Sequence, residues 1–103
     1  MVKVSVFYPH RKGARFDIDY YCNRHIPLVR RLVGAALKGA NVEHGICGEE
    51  PGSPPAYVAL GHLLFDSVEA FQAGFGPHAE EIMADIPNYT DVQPTIQISE
   101  VKL

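Results

Sequence analysis

What most constrains this chain is the way its apolar residues change period. Val2, Val4, Val6 and Tyr8 alternate with Lys3, Ser5 and Phe7, the two-residue period of a strand, and Pro9 ends the run. From Ile18 the apolar residues step by threes and fours, through Tyr21, Cys22, His25, Val29 and Leu32, tracing one stripe on a helix that ends near Gly34. Asp17 is placed to cap that helix. Pro27 interrupts it: with no N–H to give the Asn23 carbonyl, the proline predicts a kink just after His25. Residues 39–48 read as a weaker, glycine-bounded strand in which Gly45 marks a bulge or close backbone approach, and residues 49–56 are a proline-rich loop. The segment 57–65 is apolar on both alternations, the pattern of a strand covered on both faces. Asp66 and Glu69 have the spacing of a capping box and open a second helix, with Val68, Phe71 and Phe75 on its apolar face. Gly74 and Gly76 break that helix, and Pro77 starts a further piece that carries Ile82 and Met83 and stops before Pro87. Residues 94–101 alternate as a last strand, with Pro94 at its start or on an edge.

The order is β-α-β-β-α-β, the split βαβ pattern of a ferredoxin-like α+β fold: a four-stranded antiparallel sheet with both helices on one face. A chain of 103 residues suits one domain, expected over residues 1–103. A domain of this size buries about 65% of its unfolded surface, so its own core is modest. The open sheet face is expected to be bare and apolar, and two copies packed sheet to sheet would cover it, which predicts a homodimer with a two-fold axis.

Charge excludes some partners. A net charge of −3 lacks the concentrated basic surface that nucleic acid needs. Residues 1–38 carry +6 and residues 39–103 carry −9, which is expected to bring early and late elements together with opposite charge. Cys22 and Cys47 form no CxxC, no leader is evident at Met1, and no apolar run approaches a membrane span, so a soluble, cytoplasmic protein that does not enter membranes is expected.

Five histidines, His10, His25, His44, His62 and His78, offer no HxH, HxxxH or HExxH spacing, and neither a phosphate loop nor a nucleophile elbow is present. No metal and no cofactor are therefore expected. His25 is the most informative residue, because it lies on the apolar stripe beside the proline. Partial burial would hold it neutral near pH 7 and able to take or give a proton; the plainer reading is a core histidine bonded to a loosened backbone carbonyl. His62, beside Gly61 in the doubly covered strand, needs a buried polar partner. Of the adjacent Tyr20 and Tyr21, only Tyr21 can face the sheet squarely. Phe71, Phe75, Ile82 and Met83 would line any gap between helix and sheet, though such a stripe also serves as plain core. His10 and His44 are expected at the surface or an edge.

Certain runs carry a resemblance: Tyr8-Pro9, Phe16-Asp-x-x-Tyr-Tyr21, His25-x-Pro-Leu28, the block from Gly61 to Phe71, Phe75-Gly-Pro-His78, and the stretch from Asp85 to Val101. Together they resemble the EthD family, named for a protein encoded with a cytochrome P450 system that degrades ethyl tert-butyl ether. The resemblance covers nearly the whole chain and implies a dimeric α+β barrel. It also implies kinship with cofactor-independent monooxygenases, polyketide cyclases, isomerases and haem-degrading enzymes whose pockets often lie between helices and sheet. Tyr21, His25 and His62 fall on positions of the family pattern.

Two functions follow. In one, the protein acts in small-molecule catabolism on a compact, apolar, oxygenated compound. His25 is then the acid–base, Tyr21 bonds a substrate oxygen, His62 polarises or orients, and Phe71, Phe75 and Met83 bind through apolar walls. In the other, the same pocket belongs to a non-catalytic carrier or accessory dimer, with a cytochrome P450 system as the partner the resemblance implies.

Overall fold

The computed structural model describes residues 1–103. Strands β1 (Val2–Pro9), β2 (Gly39–His44), β3 (Tyr57–Phe65) and β4 (Thr95–Glu100) form one antiparallel sheet in the order β2-β3-β1-β4. Val4 lies between Leu63 on one side and Ile98 on the other, and Tyr8 opposite Ala59. The arrangement is the ferredoxin-like one that the order of apolar periods predicts. β2 stops at His44, short of the expected 48, because the chain turns in at Gly45, where a Cβ would collide with the Tyr57 carbonyl and with Pro55.

The first helix, over 18–33, is built in three segments: an α turn Ile18–Tyr20, a π-helical segment Tyr21–His25, and an α segment Ile26–Val33. Asp17 caps it, accepting from the Tyr20 N–H at 3.0 Å. The kink anticipated at Pro27 takes the form of the π turn: the Ile26 N–H reaches back to the Tyr21 carbonyl, and the chain passes the proline with the ladder widened by one residue. Gly34, at φ +73°, ends the helix in a conformation glycine adopts readily. The second helix runs as Val68–Phe75, a 3₁₀ turn Gly76–His78, and Ala79–Ala84. Its cap is Ser67, whose hydroxyl accepts from the Ala70 N–H at 3.0 Å, and not Asp66, which faces Lys38 at 3.9 Å. Both helices cover one face of the sheet.

Two clusters fill the space beneath them. Val4, Val29, Val33, Leu63, Phe65 and Ile82 pack under the helix bodies. Tyr8, Tyr21, Ala59, Tyr89 and Val92 pack at the end of the sheet where β1 finishes and β4 begins. The uncovered face differs from expectation. Leu60 and Leu64 of β3 do point to it, with Phe7 beside Tyr57 at 5.2 Å between ring centres. Between them, however, His62 and its cross-strand neighbours Ser5 and Asn41 make a polar middle, because the neighbouring strands alternate strictly. Opposite charges meet at Arg11–Asp91 (3.5 Å) and Lys38–Asp66, joining the basic early segment to the acidic late one. No helix is long and apolar enough to cross a membrane.

Candidate functional site

At the Tyr8 end of β1 a narrow cleft of about 40 Å³ lies between the helices and the sheet. Its walls are largely apolar, with Phe75 and Met83 from the second helix and Ile96 from β4; its polar groups are Tyr8, Tyr21 and His25. The π turn places Tyr21 and His25 one above the other, ring centres 5.5 Å apart and planes within 14°, and Tyr89 closes on the imidazole at 4.7 Å.

His25 is only 5% exposed, and its Nδ1 lies 2.8 Å from Oδ2 of Asp85. The other carboxylate oxygen, Oδ1, accepts from the Tyr20 hydroxyl at 2.7 Å and from Asn88 Nδ2 at 2.9 Å. Burial alone would raise the Asp85 pKa, but the hydrogen bonds from Asn88, His25 and Tyr20 outweigh it and hold the carboxyl below its usual range. An ionised carboxylate only accepts, so Nδ1 carries the proton and the lone pair of neutral His25 sits on Nε2. No fully buried side-chain nitrogen or oxygen lacks a partner, and Nε2 has none within the protein, so Nε2 keeps some exposure on a ring that lines the cleft. Burial pushes the imidazole pKa below its ordinary value, and the bond to Asp85 only partly offsets this. The ring therefore stays a free base at neutral pH.

The tyrosines around it stay protonated. The Tyr8 and Tyr89 hydroxyls share a hydrogen bond of 2.7 Å, and burial raises the pKa of Tyr8, Tyr21 and Tyr89 alike. The Tyr21 hydroxyl occupies the space over Gly61, where a Cβ would run into it. The missing side chain of Gly61 thus gives that ring its place.

Of the residues expected at a site, the structure brings together His25, Tyr21, Phe75 and Met83. Phe71 lies apart, packed edge-on against Phe65 at 5.2 Å and stacked with Phe75 at 5.1 Å, as core. His62 lies on the opposite face of the sheet, its Nδ1 2.9 Å from Ser5 Oγ and its Nε2 3.3 Å from Glu43. Strand alternation explains this: Gly61 and Leu63 turn to the helices, so His62 cannot. The partner of His25 is a carboxylate and not the backbone carbonyl of the plainer reading. Asp85, Tyr20, Asn88, Tyr8 and Tyr89 escaped sequence reasoning. The available signal was the acid and amide at Asp85 and Asn88, one turn apart where the helix ends, with no cap to account for the acid.

A ferredoxin-like α+β domain with a carboxylate-backed histidine in a helix–sheet cleft is the class these features define. Residues 14–93 match the EthD domain model, and the chain belongs to the EthD family. It is 34% identical over 91 residues, 86% of this chain and 84% of the other, to an uncharacterized 11.0 kDa protein in the thcB-thcC intergenic region of Rhodococcus erythropolis. The crystal structure of an EthD-like protein from Ralstonia eutropha JMP134 is 48% identical, with a TM-score of 0.95 over 99% of this chain and 92% of that one. A dimeric ferredoxin-like protein of unknown function from Thermobifida fusca shares the fold at 14% identity and a TM-score of 0.59, over 97% of this chain and 90% of that one.

Proposed function

We propose that the protein binds a small, mostly apolar, oxygen-bearing compound in the cleft and transfers a proton to and from it through His25. The observation that carries this reading is the unpartnered Nε2 of a neutral ring that lines an apolar cleft, with Nδ1–H donated to Asp85. Nε2 takes a proton from a C–H of the bound compound, the imidazolium so formed pairs with the Asp85 carboxylate and can exchange that proton with solvent, and a proton passes from Nε2 to another atom of the compound. Such a step isomerises or closes a ring and needs no co-reactant. Tyr21 supplies a neutral hydroxyl for the compound's oxygen and a flat support for the imidazole, while Phe75 and Met83 give the apolar walls. Membership of the EthD family supports a setting in catabolism beside a cytochrome P450 system.

The protein works as a homodimer in this reading. Phe7, Tyr57, Leu60 and Leu64 give the open sheet face its apolar contacts. His62, with Ser5 and Glu43, supplies a hydrogen-bonded polar centre to that contact. The Thermobifida fusca neighbour is described as dimeric, which is in keeping with dimer formation.

Native mass spectrometry of freshly purified protein identifies any retained compound, and that compound incubated with the protein in deuterated water reports proton transfer. The wild type is expected to exchange deuterium into it, and His25→Gln to lose that exchange by on the order of a hundredfold or more. Tight binding by the wild type with no exchange would make the protein a carrier instead.

A further inference from the structure

The cleft is open along β4. Helices cover the sheet over β3 and β1, but on β4 the helix-side residues Ile96 and Ile98 remain 46% and 39% exposed, and Met83 beside them 39%. A second apolar group is displayed at the other edge of the sheet. Ile46, at the start of the loop that follows β2, is 91% exposed, although its neighbour Gly45 is fastened to the sheet through its N–H on the Val58 carbonyl. Within one copy the two cannot meet, because β2 and β4 stand three strand spacings apart, roughly 14 Å.

Symmetry brings them together. A two-fold axis running along the strands, midway between two face-to-face sheets, carries β2 of one copy over β4 of the other. β1 and β2 run one way and β3 and β4 the other, so the end of β2 and the beginning of β4 lie at the same end of the sheet. That is the end where Tyr8, Pro94 and Ile96 line the cleft. We propose that the loop 45–56 of a second copy passes round the β4 edge and seats Ile46 on Ile96 and Met83, so that each cleft is closed by the partner chain. This rests on the homodimer reading above. It makes the cleft a composite site whose mouth admits ligand only when the loop moves or the copies part.

The chain has no tryptophan, so Ile46→Trp introduces a single reporter at an exposed position. Seating by the partner predicts blue-shifted emission that turns red on dilution as the dimer dissociates. Cross-linking locates the contact independently: in a Cys22→Ser background, Ile96→Cys is expected to form a disulfide with Cys47 of the other chain, identified by peptide mapping, whereas Val101→Cys at the far end of β4 is not. Red emission, together with no disulfide between Cys47 and the thiol introduced by Ile96→Cys, in a protein that light scattering shows to be dimeric would overturn the seating of Ile46 and leave the dimer standing. A monomer at high micromolar concentration would overturn both.

Discussion

His25 shows how one residue's chemistry is set by its second nitrogen. Asp85 is held ionised by three donors and so fixes the tautomer, while burial keeps the ring uncharged. Asp85→Asn keeps the shape and removes the charge. Loss of a charge-assisted hydrogen bond at a largely buried site is expected to cost about 2 kcal/mol, read from urea denaturation, and to let the ring sample both tautomers. Loss of Asp85, which favours the charged ring, also lowers the His25 pKa further, a shift that NMR titration measures directly. Tyr20→Phe, which removes only one donor to the carboxylate, is expected to raise the Asp85 pKa and leave the tautomer intact.

At the scale of elements, the packing of the first helix on β3 depends on a missing atom. Gly61→Ala puts a methyl group into the Tyr21 hydroxyl and is expected to destabilise the fold by about 1–3 kcal/mol, measured by chemical denaturation. Adding Tyr21→Phe removes the colliding oxygen, so the double variant should be less destabilised than the sum of its parts. The sequence made much of this level legible: the order of elements along the chain, the Asp17 cap, the disturbance at Pro27, the close approach at Gly45 and the room beside Gly61 all follow from local chemistry. The site was legible only on the helix side. His25 and Tyr21 announce themselves through helical spacing, but Asp85 comes from sixty residues away and is positioned by the packing of two elements, which no local pattern encodes. His62 misled for a related reason. A strand apolar on both alternations does not say which face meets the helices, and His62 fell on the other one.

For the whole molecule, stability should depend on pH from both sides. The His25 pKa is lowered in the fold from 6.5, so the unfolded chain takes up its proton first. The resulting stability is present above about pH 6.5 and drains away as pH falls toward the depressed folded value. Asp85, lowered from 3.8, extends that loss further into acid. Tyr8, Tyr21 and Tyr89 act in the opposite sense: their pKa values are raised from 10.0, so their contribution is intact below that pH and is lost as pH rises beyond it. Denaturation midpoints across pH 5 to 11 should form a plateau bounded near pH 6.5 and pH 10, and the acid shoulder should weaken in His25→Gln.

The central claim is that His25 presents a basic Nε2 to the cleft. Nitrogen-15 NMR of the imidazole across a pH titration tests it in the resting protein, without knowledge of any substrate. The account predicts a single neutral tautomer with the proton on Nδ1 and a pKa below 6.5. A ring protonated on Nε2, or one that titrates at or above the ordinary value, would contradict it.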